Sequence, residues 1–130
     1  MQILLHKIFK LSFNKWPSIL WAIFILVLST VPGPSLPQQK LLPHLDKVVH
    51  FIFYLILVIL SFNGWKENKN GIIIICLVLS YGVGIELIQH FFIEKRFFDI
   101  YDVVANTAGV LVGLKLNFSF LKKTNQFNIK

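Results

Sequence analysis

Residues 72–93 read Ile-Ile-Ile-Ile-Cys-Leu-Val-Leu-Ser-Tyr-Gly-Val-Gly-Ile-Glu-Leu-Ile-Gln-His-Phe-Phe-Ile. The run is long enough to cross hydrocarbon, which takes about 20 mostly apolar residues, yet it carries an acid, Glu86, in its interior. An ionisable side chain near the bilayer centre costs at least ~2.5–3.5 kcal/mol, so its presence there calls for a structural or chemical reason. Arg96, Asp99, Asp102 and Asn106 follow at the entrance to the next apolar run, Val103 to Leu121. The stretch sets two expectations together: membrane-spanning helices, and a polar site built where two of them meet.

Composition agrees with the first. At 130 residues there is room for one domain. The chain is 55% hydrophobic and 15% charged, with 13 Phe and a mean hydropathy of +0.69, too apolar for an ordinary soluble domain. The net charge of +7 is scattered between apolar segments with no basic stripe interleaved with aromatics. That distribution argues against nucleic acid and for topology signals and anionic lipid headgroups. The single cysteine, Cys76, allows no intramolecular disulfide.

Outward from residues 72–93, three further apolar runs complete an all-α polytopic helical membrane protein of about four transmembrane helices. The first runs from Trp16-Pro17 to Val31, with Pro17 suited to a first helical turn. The residues after it, Val31-Pro32-Gly33-Pro34, offer no small-x-small cleavage site, so an uncleaved span is expected rather than a signal peptide. Pro32, Gly33, Pro34 and Pro37 enforce a non-helical loop. The second run, Val48 to Phe62, needs extension back through Pro43–Lys47 to approach spanning length. The fourth, Val103 to Leu121, is interrupted by Lys115, which can snorkel, and a re-entrant segment is the alternative there. Residues 1–15 place Leu4, Leu5, Ile8 and Leu11 at helical spacing among three lysines, a short interfacial helix. The domain plan is thus an interfacial segment 1–15, one transmembrane domain 16–121 and a basic tail 122–130.

Orientation follows from Lys and Arg. The N-terminal segment, the loop between spans two and three, and the C-terminal end hold nine of them; the other two loops hold Lys40, Lys47, Lys95 and Arg96. Both termini are expected in the cytoplasm. The start of span two, the end of span three and the start of span four then share the extracytoplasmic level. Asp46, Lys47 and His50 meet there with Glu86, Gln89, Arg96, Asp99, Asp102 and Asn106. Asp46, His50 and Tyr54 are four apart, and Asp99, Asp102, Asn106, Gly109 and Gly113 step by three or four along one stripe. Gly82, Gly109 and Gly113 are expected to let helices approach closely, with the polar groups paired above them. Arg96 is expected to pair with Glu86, Asp99 or Asp102, and Asp99 has an equal claim to be a helix cap.

The chemistry is less determined than the placement. His50, His90, Glu86, Asp99 and Asp102 are ligand types that suit zinc, but their spacing matches no metal motif, so no metal and no cofactor is expected. Ser61, Ser80 and Tyr81 have no context that marks an activated nucleophile, and no glycine loop cradles phosphate. Paired carboxylates with His50 would suit general acid–base work. Catalysis is left open.

At these residues the sequence resembles the VanZ-like family of small bacterial membrane proteins. The matching stretches are Leu28-Ser29-Thr30-Val31-Pro32-Gly33, Asp46-Lys47-Val48-Val49-His50-Phe51, Tyr81-Gly82-x-Gly84-Ile85-Glu86-Leu87-Ile88-Gln89, and Arg96-Phe97-Phe98-Asp99-Ile100-Tyr101-Asp102 onward through Asn106 to Gly113. Family members often have a small or Pro-Gly turn before the arginine, where this chain has Phe92-Ile93-Glu94-Lys95. The resemblance implies a multi-span protein of the bacterial cytoplasmic membrane; the founder is associated with low-level teicoplanin resistance. The expected partners are membrane lipids and a lipid-linked or lipophilic envelope compound met by the cluster, with Lys47 and Arg96 facing an anionic headgroup. The alternatives are a membrane-embedded enzyme acting on a lipid phosphate, and a small transporter.

Overall fold

The computed structural model describes residues 15–32, 44–65 and 71–127, with side chains through residue 118. The expected interfacial helix over 1–15 falls outside these residues except for Lys15, as do most of the proline loop and the polar turn at 66–70. All regular structure among the described residues is helical: α1 (Trp16–Ser29), α2 (Leu45–Gly64), α3 (Gly71–Phe92) and α4 (Ile100–Phe127).

At 1.5 Å per residue the four are about 21, 30, 33 and 42 Å long. Only α2 and α3 are both long and apolar enough to cross a membrane. α1 is apolar but short, with Pro17 in its first turn. α4 is long but diluted by Asp102, Asn106, Lys115 and Asn117; it begins three residues before the expected span and continues through Phe127, past the expected start of the tail. Only 28% of the most apolar window in α2 or in α3 is buried. Ile72, Leu77, Leu87, Phe91, Leu111 and Leu116 are among the large apolar side chains that face outward. A water-soluble bundle of this size would bury such faces.

α2 and α4 share the most extensive contact. A Cβ on Gly109 would collide with the Phe51 carbonyl oxygen, and one on Gly113 with Val58 and the Leu55 backbone. The glycines sit four apart, so one stripe of α4 lies directly on the α2 backbone. Ile25, Tyr54, Leu57, Val58, Ile74, Val78 and Val110 form the core. α1 is tied on by hydrogen bonds across helices: the Trp21 indole donates to Phe53 O at 3.0 Å, Tyr81 Oη–H to Ala22 O at 2.6 Å, and Gln89 Nε2 to Ser29 O at 3.1 Å. The Lys15 ammonium lies 4.4 Å from the Trp65 ring centre at the opposite end.

Candidate functional site

The N-termini of α2 and α4 and the C-terminal half of α3 meet at one end of the bundle. α4 starts there because Asp99 caps it: Asp99 Oδ1 accepts the Tyr101 N–H at 2.8 Å, satisfying one of the donors a helix start leaves open. Asp102, three residues on, adds a carboxylate in the first turn, where the helix dipole favours it. In α2, Asp46 occupies the corresponding first turn, after His44 turns the chain with a positive φ of 73°.

Lys47 gathers these acids. Its ammonium lies 3.0 Å from Asp46 Oδ2, 2.7 Å from Asp99 Oδ2 and 3.0 Å from Asp102 Oδ1. An ammonium has three N–H donors, and each has a carboxylate. The Lys47 hydrogen bond holds the Asp99 carboxyl below its ordinary value of 3.8, assisted by the Tyr101 N–H.

Beneath this layer the ring of His50 stands between α3 and α4. Nδ1 lies 3.0 Å from Asn106 Oδ1 and 3.7 Å from Glu86 Oε1, and Nε2 lies 3.8 Å from Asp102 Oδ2. His50, Glu86 and Asp102 are 8%, 0% and 6% exposed. Both Glu86 oxygens, the Asn106 Nδ2 and the Tyr54 hydroxyl are buried without a hydrogen-bond partner. Gly82 makes the floor: a Cβ there would sit 3.1 Å from the Tyr54 ring and 3.2 Å from Asn106 Nδ2.

Asp46, Lys47, His50, Glu86, Asp99, Asp102 and Asn106 thus converge. Two residues of the expected cluster act differently. Gln89 binds the carbonyl at the end of α1, because three residues beyond Glu86 its side chain is turned about 60° around the helix. Arg96 makes no ion pair with a described residue, and its Nε is buried without a partner; Lys47 supplies the cation expected of it. Tyr54 joins the cluster at its base, as the third member of the Asp46–His50–Tyr54 row. His90 stays outside, exposed, accepting the Phe98 N–H at 3.3 Å. The turn before Arg96 closes without glycine: Lys95 takes a φ of 60°, and the Arg96 N–H donates to Ile93 O at 3.2 Å. A crevice of about 170 Å³ among α1, α2 and α3, lined by residues such as Ser18, Leu57, Ser61 and Tyr81, lies toward the far end and shares no residue with the cluster.

A family model described as VanZ/LLP1 matches residues 2–121. The chain is also similar to uncharacterized protein C11E3.10 of Schizosaccharomyces pombe, 34% identical over 110 residues, covering 78% of this chain. It spans 64% of that protein's length. No solved structure matches.

Proposed function

Since the chain belongs to the VanZ/LLP1 family, we propose that it is a multi-pass membrane protein whose polar cluster receives the head group of a lipid-linked or lipophilic envelope compound. The reading takes all four helices as membrane crossings, with both termini cytoplasmic and the cluster on the outer side of the bacterial inner membrane, as the distribution of Lys and Arg favours. One observation carries it. A set of acids, a histidine, an amide and an ammonium is concentrated at one end of a bundle that turns many large apolar side chains outward. Polar groups so placed are costly unless they meet something polar.

Within this reading one cation is favoured to meet an anionic head group. Lys47 has its three donors engaged by carboxylates, so the role falls to Arg96, whose guanidinium suits phosphate and carboxylate. The yeast relative is why the reading rests on an amphipathic ligand and not on glycopeptide resistance. A membrane-embedded enzyme acting on a lipid phosphate is the second reading, favoured by the buried Glu86 carboxylate beside the His50 ring. Transport is disfavoured, because a single domain of four helices leaves little room for alternating access within one chain.

Mass spectrometry of lipids retained by the purified full-length protein tests the proposal. One class of amphipathic compound should be enriched over the bulk membrane and should be lost from Arg96→Gln. A retained population matching bulk lipid, unchanged in that variant, would overturn it.

A further inference from the structure

We propose that His50, Glu86 and Asp102 bind a divalent metal cation of the zinc class, a site that goes beyond head-group recognition and stands on its own geometry. The three residues come from α2, α3 and α4. Each offers one ligand atom, and these atoms lie within 4.8 Å of one another.

Distances separate a metal from a hydrogen-bond network. The 3.8 Å from His50 Nε2 to Asp102 Oδ2 is too long for a hydrogen bond, and the Glu86 ligand atom lies within 4.8 Å of both partners. Two ligand atoms bound tetrahedrally to one ion at about 2.0–2.2 Å stand roughly 3.3–3.6 Å apart. The ring is oriented as metal-binding imidazoles are: Asn106 Oδ1 accepts from Nδ1 at 3.0 Å, which leaves the Nε2 lone pair directed at Asp102 and fixes the tautomer. Reversing the Asn106 amide would make Nε2 a donor, but 3.8 Å would still leave Asp102 Oδ2 beyond its reach.

Glu86 is the second, independent observation. It is fully buried, and neither carboxylate oxygen has a hydrogen-bond partner. A carboxylate in such a place needs a proton or a cation. A neighbouring trio shows what the same crowding looks like when the protein supplies the cation. Asp46, Asp99 and Asp102 also bring ligand atoms within 4.8 Å, and the Lys47 ammonium lies among them. No Lys or Arg among the described residues forms an ion pair with Glu86. A divalent ion would offset the Glu86 charge and the part of the Asp102 charge that Lys47, shared among three carboxylates, leaves uncompensated. One imidazole with two carboxylates selects zinc or another first-row divalent ion over magnesium or calcium, and leaves a coordination position for water or a ligand oxygen.

The test is elemental analysis of the full-length protein in detergent after zinc addition and desalting, with the thermal midpoint followed in parallel. Wild type should hold about one zinc per chain. Its midpoint should fall with chelator and recover with zinc. Glu86→Gln and His50→Gln should lose at least ~10-fold in zinc affinity, while His90→Gln, exposed and outside the trio, keeps it. Zinc-edge X-ray absorption on wild type should show one imidazole, which decides the matter if the inner variants do not fold. Substoichiometric metal with a midpoint indifferent to chelator, zinc retained in a folded Glu86→Gln, or zinc without imidazole scattering would each overturn the site. The first outcome leaves lipid retention by Arg96 intact, so the two proposals fail separately.

Discussion

Three carboxylates converge on the Lys47 ammonium, so its removal leaves them facing one another with no counter-charge. Lys47→Met should cost roughly 1–3 kcal/mol, between an exposed and a buried pair, since only Asp102 of the three acids is buried. Thermal unfolding in detergent should show the loss, and acidification should recover part of it as the carboxylates take up protons. Asp99 carries a pH dependence of its own. Because Lys47 and the Tyr101 N–H hold its carboxyl below 3.8 in the folded chain, the stabilisation is complete above the ordinary carboxylate range. It is lost as pH falls through the lowered value. Asp99→Asn should therefore be less stable than wild type at neutral pH, and the two melting curves should converge in strong acid. A gap that persists undiminished there would show that Asp99 acts without its charge. The choice between cations was not legible in the sequence, which pointed to Arg96 as the partner of the acids where the structure has Lys47. What decides it is direction. Helical side chains tilt toward the N-terminus, so a long side chain in the first turn of α2 reaches past the helix end to Asp99.

Among the elements, the α2–α4 contact depends on the absence of two side chains. Gly109→Ala should separate the helices by forcing a methyl against the Phe51 carbonyl, at a cost of roughly 1–3 kcal/mol. Gly84 is the control: its Cβ would meet nothing within 4 Å, so Gly84→Ala should be neutral or stabilising by up to ~1 kcal/mol. Equal effects of the two substitutions would sink the close-packing account. The spacing of Gly109 and Gly113 announced a contact stripe without naming its partner, because several helices of an apolar bundle can receive one. The helices themselves were readable to within a few residues, since apolar runs bounded by Pro, Gly and polar clusters leave little freedom. The ends of α4 were less so: Asp99 starts it earlier than hydropathy alone suggests, and α-helix continues into the basic segment.

On the scale of the molecule, the proposed topology predicts that the two loops flanking the cluster face outward. After Cys76→Ser removes the one native thiol, single cysteines at Pro34 and Lys95 should react with a membrane-impermeant reagent added to intact cells. A cysteine at Lys130 should react only after lysis. Labelling of the first pair from the cytoplasmic side alone would invert the arrangement. The bundle is also uneven in length. With α1 crossing as proposed, its ~21 Å falls about 9 Å short of a ~30 Å hydrocarbon layer, a mismatch that bilayers relieve by thinning beside the short helix. Ser29, at the end of that helix, is bonded to Gln89, one turn from Glu86. The membrane would be thinnest on the flank nearest the cluster, and a lipid drawn sideways toward Glu86 would have the least acyl depth to cross there.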